Sequence, residues 1–253
     1  MKKLLLLLLL PLFLSCVTQE RVGRATLIAH AGGAIDSCIY TNSREALELA
    51  VKNGYRFIEF DFQFTSDSIL VASYSWNDFN QMTDSAHLGD TAPSYKDFAS
   101  RRICGRYTPL SAREINDFFE SNDSLFLVTD KVSAPEVLGT YFPNLKERMV
   151  VEAFSYQHYT RLLDEGYYLV MYSCMASDVH STLLKNLLFH RLFPGKRIEW
   201  IALHTSAFDT FFFKFLNKVR KFKISLFTID DLDSIPCEHT DRAAMIYTNH
   251  MLP

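Results

Sequence analysis

Short apolar segments recur along the chain, and amphipathic stretches separate most of them. An apolar run of a few residues that ends at glycine or polar residues is typical of a buried strand. The pattern predicts parallel strands at residues 26–30, 57–61, 125–131, 149–154, 168–173, 200–204, 224–229 and 244–249.

Helical patterns fill most of the intervals between these strands. Residues 41–43 (Thr-Asn-Ser) offer an N-cap for a helix with apolar positions from 46 to 51, and residues 53–54 (Asn-Gly) end it. Ser111 and Glu114 have the spacing of a capping box. Further helices are predicted at residues 156–165, 178–193 and 208–219, whereas residues 77–124 are polar and irregular apart from this capped helix start.

A β-hairpin interrupts this alternation after the second strand. A tight turn centred on Asp67 and Ser68 is followed by an apolar run at residues 69–74, which predicts an antiparallel strand. With a turn at that position, Tyr74 lies opposite Asp61.

Eight β/α units in about 240 residues are the number and size of a TIM (β/α)8 barrel. The sequence therefore predicts an α/β fold, a TIM barrel with a β-hairpin after strand 2. An open doubly wound sheet is the alternative, and the lack of a glycine-rich dinucleotide loop after the first strand disfavours it.

The N-terminus has the pattern of an export signal. Met1-Lys2-Lys3 is basic, residues 4–14 are almost wholly apolar, and Ser15-Cys16 resembles the lipobox of bacterial lipoproteins. We expect a lipoprotein signal peptide at residues 1–15, lipidated Cys16 with a tether at 16–24, and one domain at 25–253. The protein is then an exported bacterial lipoprotein, anchored on the periplasmic or cell-surface side of a membrane. An ordinary signal peptide cleaved elsewhere is the alternative.

Composition narrows the possible partners. A net charge of −3 and a pI of about 6.2 do not favour nucleic acid. Four further cysteines are too widely spaced for a zinc knuckle, and an exported protein permits disulfides whose pairing the sequence leaves open: Cys38, Cys104, Cys174 and Cys237.

Polar residues occupy the predicted strand ends, where a TIM barrel places its active site. Glu59 and Asp61 are two residues apart, so they share one face of a strand. Burying both acids is costly unless a positive charge satisfies them, and an exposed polar face is the other interpretation. His30, Lys131 and His204 end three further strands.

Several motifs, in order, resemble those of the glycerophosphodiester phosphodiesterases. The resemblance implies a TIM barrel that hydrolyses phosphodiesters with a divalent metal, Mg²⁺ or Ca²⁺. It also implies a catalytic role for His30, metal binding by Glu59 and Asp61, and phosphate contact by Lys131. The motifs are His30-Ala31-Gly32-Gly33, Thr41-Asn42-Ser43, Glu59-Phe60-Asp61, Thr65-Ser66-Asp67, Leu226-Phe227-Thr228-Ile229 and Ile246-Tyr247-Thr248-Asn249.

The sequence departs from the family's pattern at three places. Ala31 replaces the arginine of its H-R-G motif, Tyr74 occupies the position of its second histidine, and Thr129 occupies that of its third carboxylate. Asp130 is adjacent to Thr129, and strand alternation predicts that its side chain points away from the site.

Two hypotheses follow. In the first, the protein hydrolyses a phosphodiester, either a small molecule or a phospholipid head group. His30 and Tyr74 are catalytic, Lys131 and His204 bind substrate, and Glu59 and Asp61 hold the metal. In the second, a degenerate relative binds a phosphorylated or sugar ligand without turnover.

Overall fold

A computed structural model describes residues 25–174, 198–207, 222–236 and 242–253, together with residues 214, 218 and 239. The predictions for the signal peptide, Cys16 and the tether lie outside the described residues. So does the helix predicted at 178–193. Of the helix predicted at 208–219, residues 214 and 218 are described, and both are helical.

The strands form a closed barrel, which confirms the predicted TIM fold and excludes the open sheet. All strands but β3 run parallel, in the order β1-β9-β8-β7-β6-β5-β4-β2, and β1 pairs with β2 to close the barrel. The strands are β1 Thr26–Ala29, β2 Phe57–Phe64, β3 Leu70–Ala72, β4 Phe126–Asp130, β5 Met149–Ala153, β6 Leu169–Cys174, β7 Trp200–His204, β8 Lys223–Phe227 and β9 Met245–Thr248.

Helices alternate with the strands as the sequence predicts. The described α-helices are α1 Arg44–Lys52, α2 Trp76–Met82, α3 Tyr95–Ser100, α4 Ala112–Glu120, α5 Pro135–Tyr141 and α6 Tyr156–Asp164. Short 3₁₀ turns occur at His30–Gly32, Ala86–Leu88, Lys146–Arg148, Thr205–Ala207 and Leu232–Ser234. Within the described part of the chain, no helix combines the length and apolar character needed to cross a bilayer.

Strand alternation divides the core into two layers. Ile28, Val128 and Tyr247 belong to a cluster that fills the inside of the barrel. Their sequence neighbours, such as Leu127 and Ile246, pack in a larger cluster between the strands and the helices. A residue's position along its strand therefore decides whether its side chain faces the barrel interior.

The segment between β3 and α4 folds as a small subdomain, although its sequence is polar and irregular. It contains α2 and α3, each capped by a serine, and has its own apolar cluster. Phe79 and Phe98 stack with ring centroids 4.7 Å apart in that cluster. Aromatic residues spaced too irregularly for a helical stripe thus supply a third core.

The hairpin has a longer loop than predicted, and this shifts its register by one residue. Phe64 pairs with Leu70, so the loop comprises residues 65–69. Ser73 rather than Tyr74 lies opposite Asp61, and the Ser73 N–H donates to the Asp61 carbonyl at 2.9 Å. The predicted pairing of Tyr74 with Asp61 is therefore wrong.

The predicted capping box at the start of α4 is present. The Ser111 hydroxyl accepts from the Glu114 N–H at 3.3 Å, and the Glu114 carboxylate accepts from the Ser111 N–H at 2.9 Å. We expect Ser111→Ala to lower the free energy of unfolding by about 1 kcal/mol, because an N-terminal N–H loses its acceptor.

Urea unfolding followed by circular dichroism measures this change. Ser121→Ala at the other end of α4 is the matched control, since it removes a hydroxyl that donates to the Asp117 carbonyl at the surface. The control should change stability by less than about 0.5 kcal/mol. Equal losses in both variants would contradict a specific role for the capping box.

Candidate active site

Three carboxylates converge inside the C-terminal end of the barrel. Glu59 and Asp61 lie on β2 and Asp130 ends β4, and one oxygen from each lies within 4.8 Å of the others. Glu59 and Asp61 are almost fully buried. The pair that the sequence places on one strand face therefore lies in the barrel interior and not on an exposed surface.

The prediction that Asp130 faces away from the site is wrong. In the parallel register, Asp61 pairs with Asp130 and Phe60 pairs with Thr129. Because paired residues of neighbouring strands face the same side, Asp130 shares the interior with Asp61, and Thr129 faces the helices with Phe60. Asp130 therefore adds a third carboxylate to the cluster, one residue after the position that the family's spacing suggests.

Lys131 reaches the same site although it directly follows Asp130. Its backbone is left-handed, with φ of 67°, which turns the chain at the end of β4. The Lys131 Nζ lies 3.9 Å from Asp61 Oδ1 and 3.7 Å from the centroid of the Tyr74 ring, and it donates to the Tyr74 carbonyl. The side chains of Asp130 and Lys131 therefore both reach the site, although the two residues are adjacent in sequence.

The loop after β1 fixes one oxygen of each carboxylate on β2. The Ala31 N–H donates to Glu59 Oε2 at 2.7 Å, and the Asn42 amide donates to Asp61 Oδ2 at 3.1 Å. The other oxygens, Glu59 Oε1 and Asp61 Oδ1, are buried and have no hydrogen-bond donor. Hard carboxylate oxygens are the ligands that Mg²⁺ and Ca²⁺ prefer, and two of them here lack a hydrogen bond, so the cluster fits a divalent cation.

Burial and mutual repulsion disfavour the ionised form of these acids. Burial, followed by the charge of Asp130, raises the pKa of Asp61 to about 7, although Lys131 and Asn42 partly oppose the shift. Burial and the charges of Asp61 and Asp130 raise the pKa of Glu59 well above its ordinary value. Near neutral pH the cluster therefore retains protons that a cation can displace.

Glu152 is a further buried acid, which the sequence reasoning missed. It lies on β5 two residues after Val150, which packs inside the barrel, and it accepts a hydrogen bond from the Tyr247 hydroxyl. Burial and the charge of Asp130 raise the pKa of Glu152 to about 8. A lone acid in the apolar strand of residues 149–154 is the signal that could have identified it.

His30 stands beside the carboxylates at the end of β1. Its Nε2 lies 3.9 Å from Glu59 Oε2, and its Nδ1 is 3.2 Å from the Thr228 hydroxyl. Burial lowers the pKa of His30 to about 4, with Asn249 and Asp230 partly opposing the shift. The imidazole is therefore neutral near pH 7 and able to accept a proton.

Tyrosine rings line one side of the site. Tyr40 lies edge-on to His30 with ring centroids 4.7 Å apart, and 5.3 Å from the ring of Tyr74. Tyr74 is 42% exposed, so it stands at the entrance. Burial and nearby carboxylates raise the pKa of both phenols, which keeps them protonated near neutral pH.

His204, for which the sequence predicts substrate binding, makes its described contacts with residues outside the carboxylate cluster. It is exposed at the end of β7, and its Nδ1 lies 3.0 Å from the Ser206 hydroxyl and accepts from the Ser206 N–H at 3.2 Å. Its ring contacts Phe227, with centroids 6.1 Å apart. These described contacts place His204 on the rim and do not join it to the three carboxylates.

The sequence matches the model of the glycerophosphoryl diester phosphodiesterase family over residues 31–159, about half of the chain. The chain belongs to this family. The matched segment contains the carboxylate cluster, Tyr74 and Lys131, and begins directly after His30. Among curated proteins, none matches the sequence at a significant level.

Solved structures of phosphodiesterases share the fold. A glycerophosphodiester phosphodiesterase from Parabacteroides distasonis is 14% identical with a TM-score of 0.64, and the match covers 89% of this chain and 93% of that one. One from Thermotoga maritima is 15% identical with a TM-score of 0.63, covering 89% and 94%. An Oleispira antarctica phosphodiesterase in complex with the product sn-glycerol-3-phosphate is 16% identical with a TM-score of 0.62, covering 90% and 94%.

The raised pKa values predict a pH-dependent stability of the metal-free protein. An acid whose pKa is higher in the folded state stabilises the fold at low pH, and this stability is lost as pH rises through the folded value. The pKa of Asp61 rises from 3.8 to about 7 and that of Glu152 from 4.5 to about 8, so we expect the Tm to fall from about pH 5 to about pH 8 and to level off above that. His30 partly opposes this loss below about pH 7.5, because its pKa falls from 6.5 to about 4 on folding and rising pH then removes a proton only from the unfolded state.

Differential scanning fluorimetry across this pH range, with a chelator present, measures the slope. Asp61→Asn should flatten it, and Mg²⁺ or Ca²⁺ should restore the Tm of the unsubstituted protein most strongly at the alkaline end. An equal slope in Asp61→Asn would contradict the assignment of the loss to this cluster.

Proposed function

We propose that the protein is a divalent-metal-dependent hydrolase of glycerophosphodiesters or of related phospholipid head-group esters. The observation that carries this proposal is the pair of buried, donor-free oxygens on Glu59 and Asp61 beside Asp130. When bound, a cation held by these three residues would offset the negative charge that develops on phosphate oxygens. Membership of the phosphodiesterase family supports the reaction class.

His30 accepts a proton in this proposal. Its neutral imidazole faces the carboxylate cluster through Nε2, while Nδ1 contacts the Thr228 hydroxyl. An imidazole must be unprotonated before it can remove a proton from an attacking hydroxyl, and the lowered pKa of His30 meets that requirement near pH 7. The same low pKa makes His30 a weak base.

Lys131 binds the phosphate. Its side chain is about one-third exposed, and its ammonium group lies near both Asp61 and the Tyr74 ring, so it can contact both the cluster and an entering anion. Ala31 occupies the position of the family's arginine and carries no charge. Lys131 is therefore the basic residue whose contacts with the cluster the structure describes. Tyr74, at the entrance, can donate a hydrogen bond to a leaving oxygen, although a phenol is a weak acid near neutral pH.

Ligand binding without turnover is the second candidate. Tyr74 favours this candidate because it occupies the position of the second histidine that the family resemblance implies. The pKa of the Tyr74 phenol is also raised, which makes it a weaker acid. The loss of a proton-transfer group typically slows a reaction by roughly 10²–10⁴-fold. Slow turnover with measurable metal binding would therefore fit this alternative.

Turnover of glycerophosphocholine, glycerophosphoinositol and bis-p-nitrophenyl phosphate by the full-length protein, with Mg²⁺, Ca²⁺ or Mn²⁺, tests the hydrolase. We expect Asp130→Asn to lower kcat/KM by roughly 10²-fold or more, because a metal ligand is lost. Thr129→Val is the matched control: its buried hydroxyl has no partner and faces the helices, so activity should change by less than about threefold.

No turnover of any substrate with any of the three metals would contradict the hydrolase proposal. If calorimetry then detects metal or glycerol phosphate binding that Asp130→Asn abolishes, the binding-only alternative stands. A loss of turnover in Thr129→Val and not in Asp130→Asn would contradict the assignment of the third carboxylate.

We further propose that the protein is exported and lipidated at Cys16, which would hold the domain at a membrane and near phospholipid-derived substrates. The apolar run that ends at Ser15-Cys16 supports this proposal. We expect Cys16→Ser to move the protein from the membrane to the soluble fraction. Fractionation with immunoblotting measures this, and Cys174→Ala is the control; membrane retention of Cys16→Ser would contradict lipid anchoring.

A further inference from the structure

Two loops meet beside the active site, one after β1 and one before α4. The first loop is closed by paired hydrogen bonds between Ile35 and Cys38, each 2.9 Å long. The second is closed by the same kind of pairing between Ile103 and Tyr107, at 2.9 and 2.8 Å. Both loops therefore have a backbone that is fixed locally.

Asp36 ties the two loops together. Its Oδ2 accepts a hydrogen bond from the Tyr107 hydroxyl at 2.6 Å and lies 2.9 Å from the Arg106 guanidinium. The guanidinium in turn lies 4.8 Å from the centroid of the Tyr107 ring. Asp36 of the first loop thus fixes the position of the second loop through Arg106 and Tyr107.

Cys38 and Cys104 lie at this junction, one on each loop. Both are partly buried free thiols that pack against the same apolar cluster, and their side chains interact. Burial and the contact with Cys38 raise the pKa of the Cys104 thiol to about 11. Cys174, by contrast, is buried at the end of β6 in the main core.

We propose that Cys38 and Cys104 form a disulfide that joins the loop after β1 to the subdomain between β3 and α4. The packing of both thiols against one apolar cluster, the Asp36 contacts that join the two loops, and the fixed backbone of both loops carry this assignment. The bond would close a segment of 67 residues, from position 38 to position 104 inclusive. Neither cysteine belongs to the carboxylate cluster, so the inference does not depend on the proposed function.

The bond forms by thiol–disulfide exchange with a donor disulfide, such as oxidised glutathione. The thiolate of one cysteine attacks the donor, breaks its S–S bond and releases one donor thiol. The second cysteine, after losing its proton, attacks the resulting mixed disulfide and releases the other donor thiol. Both cysteines are oxidised and the donor disulfide is reduced to two thiols.

The disulfide would fix one wall of the active site. Tyr40 follows Cys38 by two residues and contacts the rings of His30 and Tyr74. Its backbone is left-handed, with φ of 58°, a conformation that a non-glycine residue holds only when its surroundings constrain it. A bond from Cys38 to the subdomain supplies such a constraint.

Peptide mapping of the full-length protein tests the bond directly. After equilibration with oxidised glutathione and alkylation of free thiols, trypsin should release residues 25–44 linked to residues 103–106, a species that dithiothreitol separates. Cys174→Ala should give the same linked species. Alkylation of both Cys38 and Cys104, or linkage of either one to another cysteine, would overturn the proposal.

Thermal unfolding gives a second readout that needs no peptide assignment. Closing a segment of this length should raise the Tm of the oxidised protein by roughly 5–15 °C over the reduced protein. Cys38→Ser and Cys104→Ser should each abolish the difference between the two redox states, and Cys174→Ala should keep it. A difference that persists in Cys38→Ser would also overturn the proposal.

Discussion

The burial of several carboxylates inside one end of an apolar barrel is the constraint on which the site depends. Removing an ion from water costs several kcal/mol unless opposite charge and hydrogen bonds compensate. Lys131 lies 3.9 Å from Asp61, and Ala31 and Asn42 each donate one hydrogen bond to the cluster. These contacts leave two oxygens without donors, so the acids hold protons or bind a cation.

The fold was largely predictable, since each strand is a compact apolar run with a polar end. Eight parallel strands and the hairpin agree with the structure to within a few residues. The register was not predictable at the same level. A hairpin loop of residues 65–69 moves Tyr74 by one position, and the pairing of β2 with β4 brings Asp130 inside. Register depends on contacts between strands, which local pattern does not contain.

The candidate site was predictable where a residue's own strand determines its direction. Glu59 and Asp61 follow from alternation within β2. To place Glu152 in the site, one must know which face of β5 points into the barrel. To place Lys131 there, one must know that the chain makes a left-handed turn at the end of β4. The subdomain core around Phe79 and Phe98 was missed because its residues belong to separate short helices.

We propose that Glu59, Asp61 and Asp130 together hold one divalent cation. Anomalous diffraction from crystals of the protein soaked in Ca²⁺ tests this most directly. We predict a single strong peak inside the barrel mouth, with oxygens of all three carboxylates at roughly 2.3–2.6 Å. A barrel mouth without an anomalous peak at saturating Ca²⁺, or a peak that does not contact Asp130, would contradict the claim.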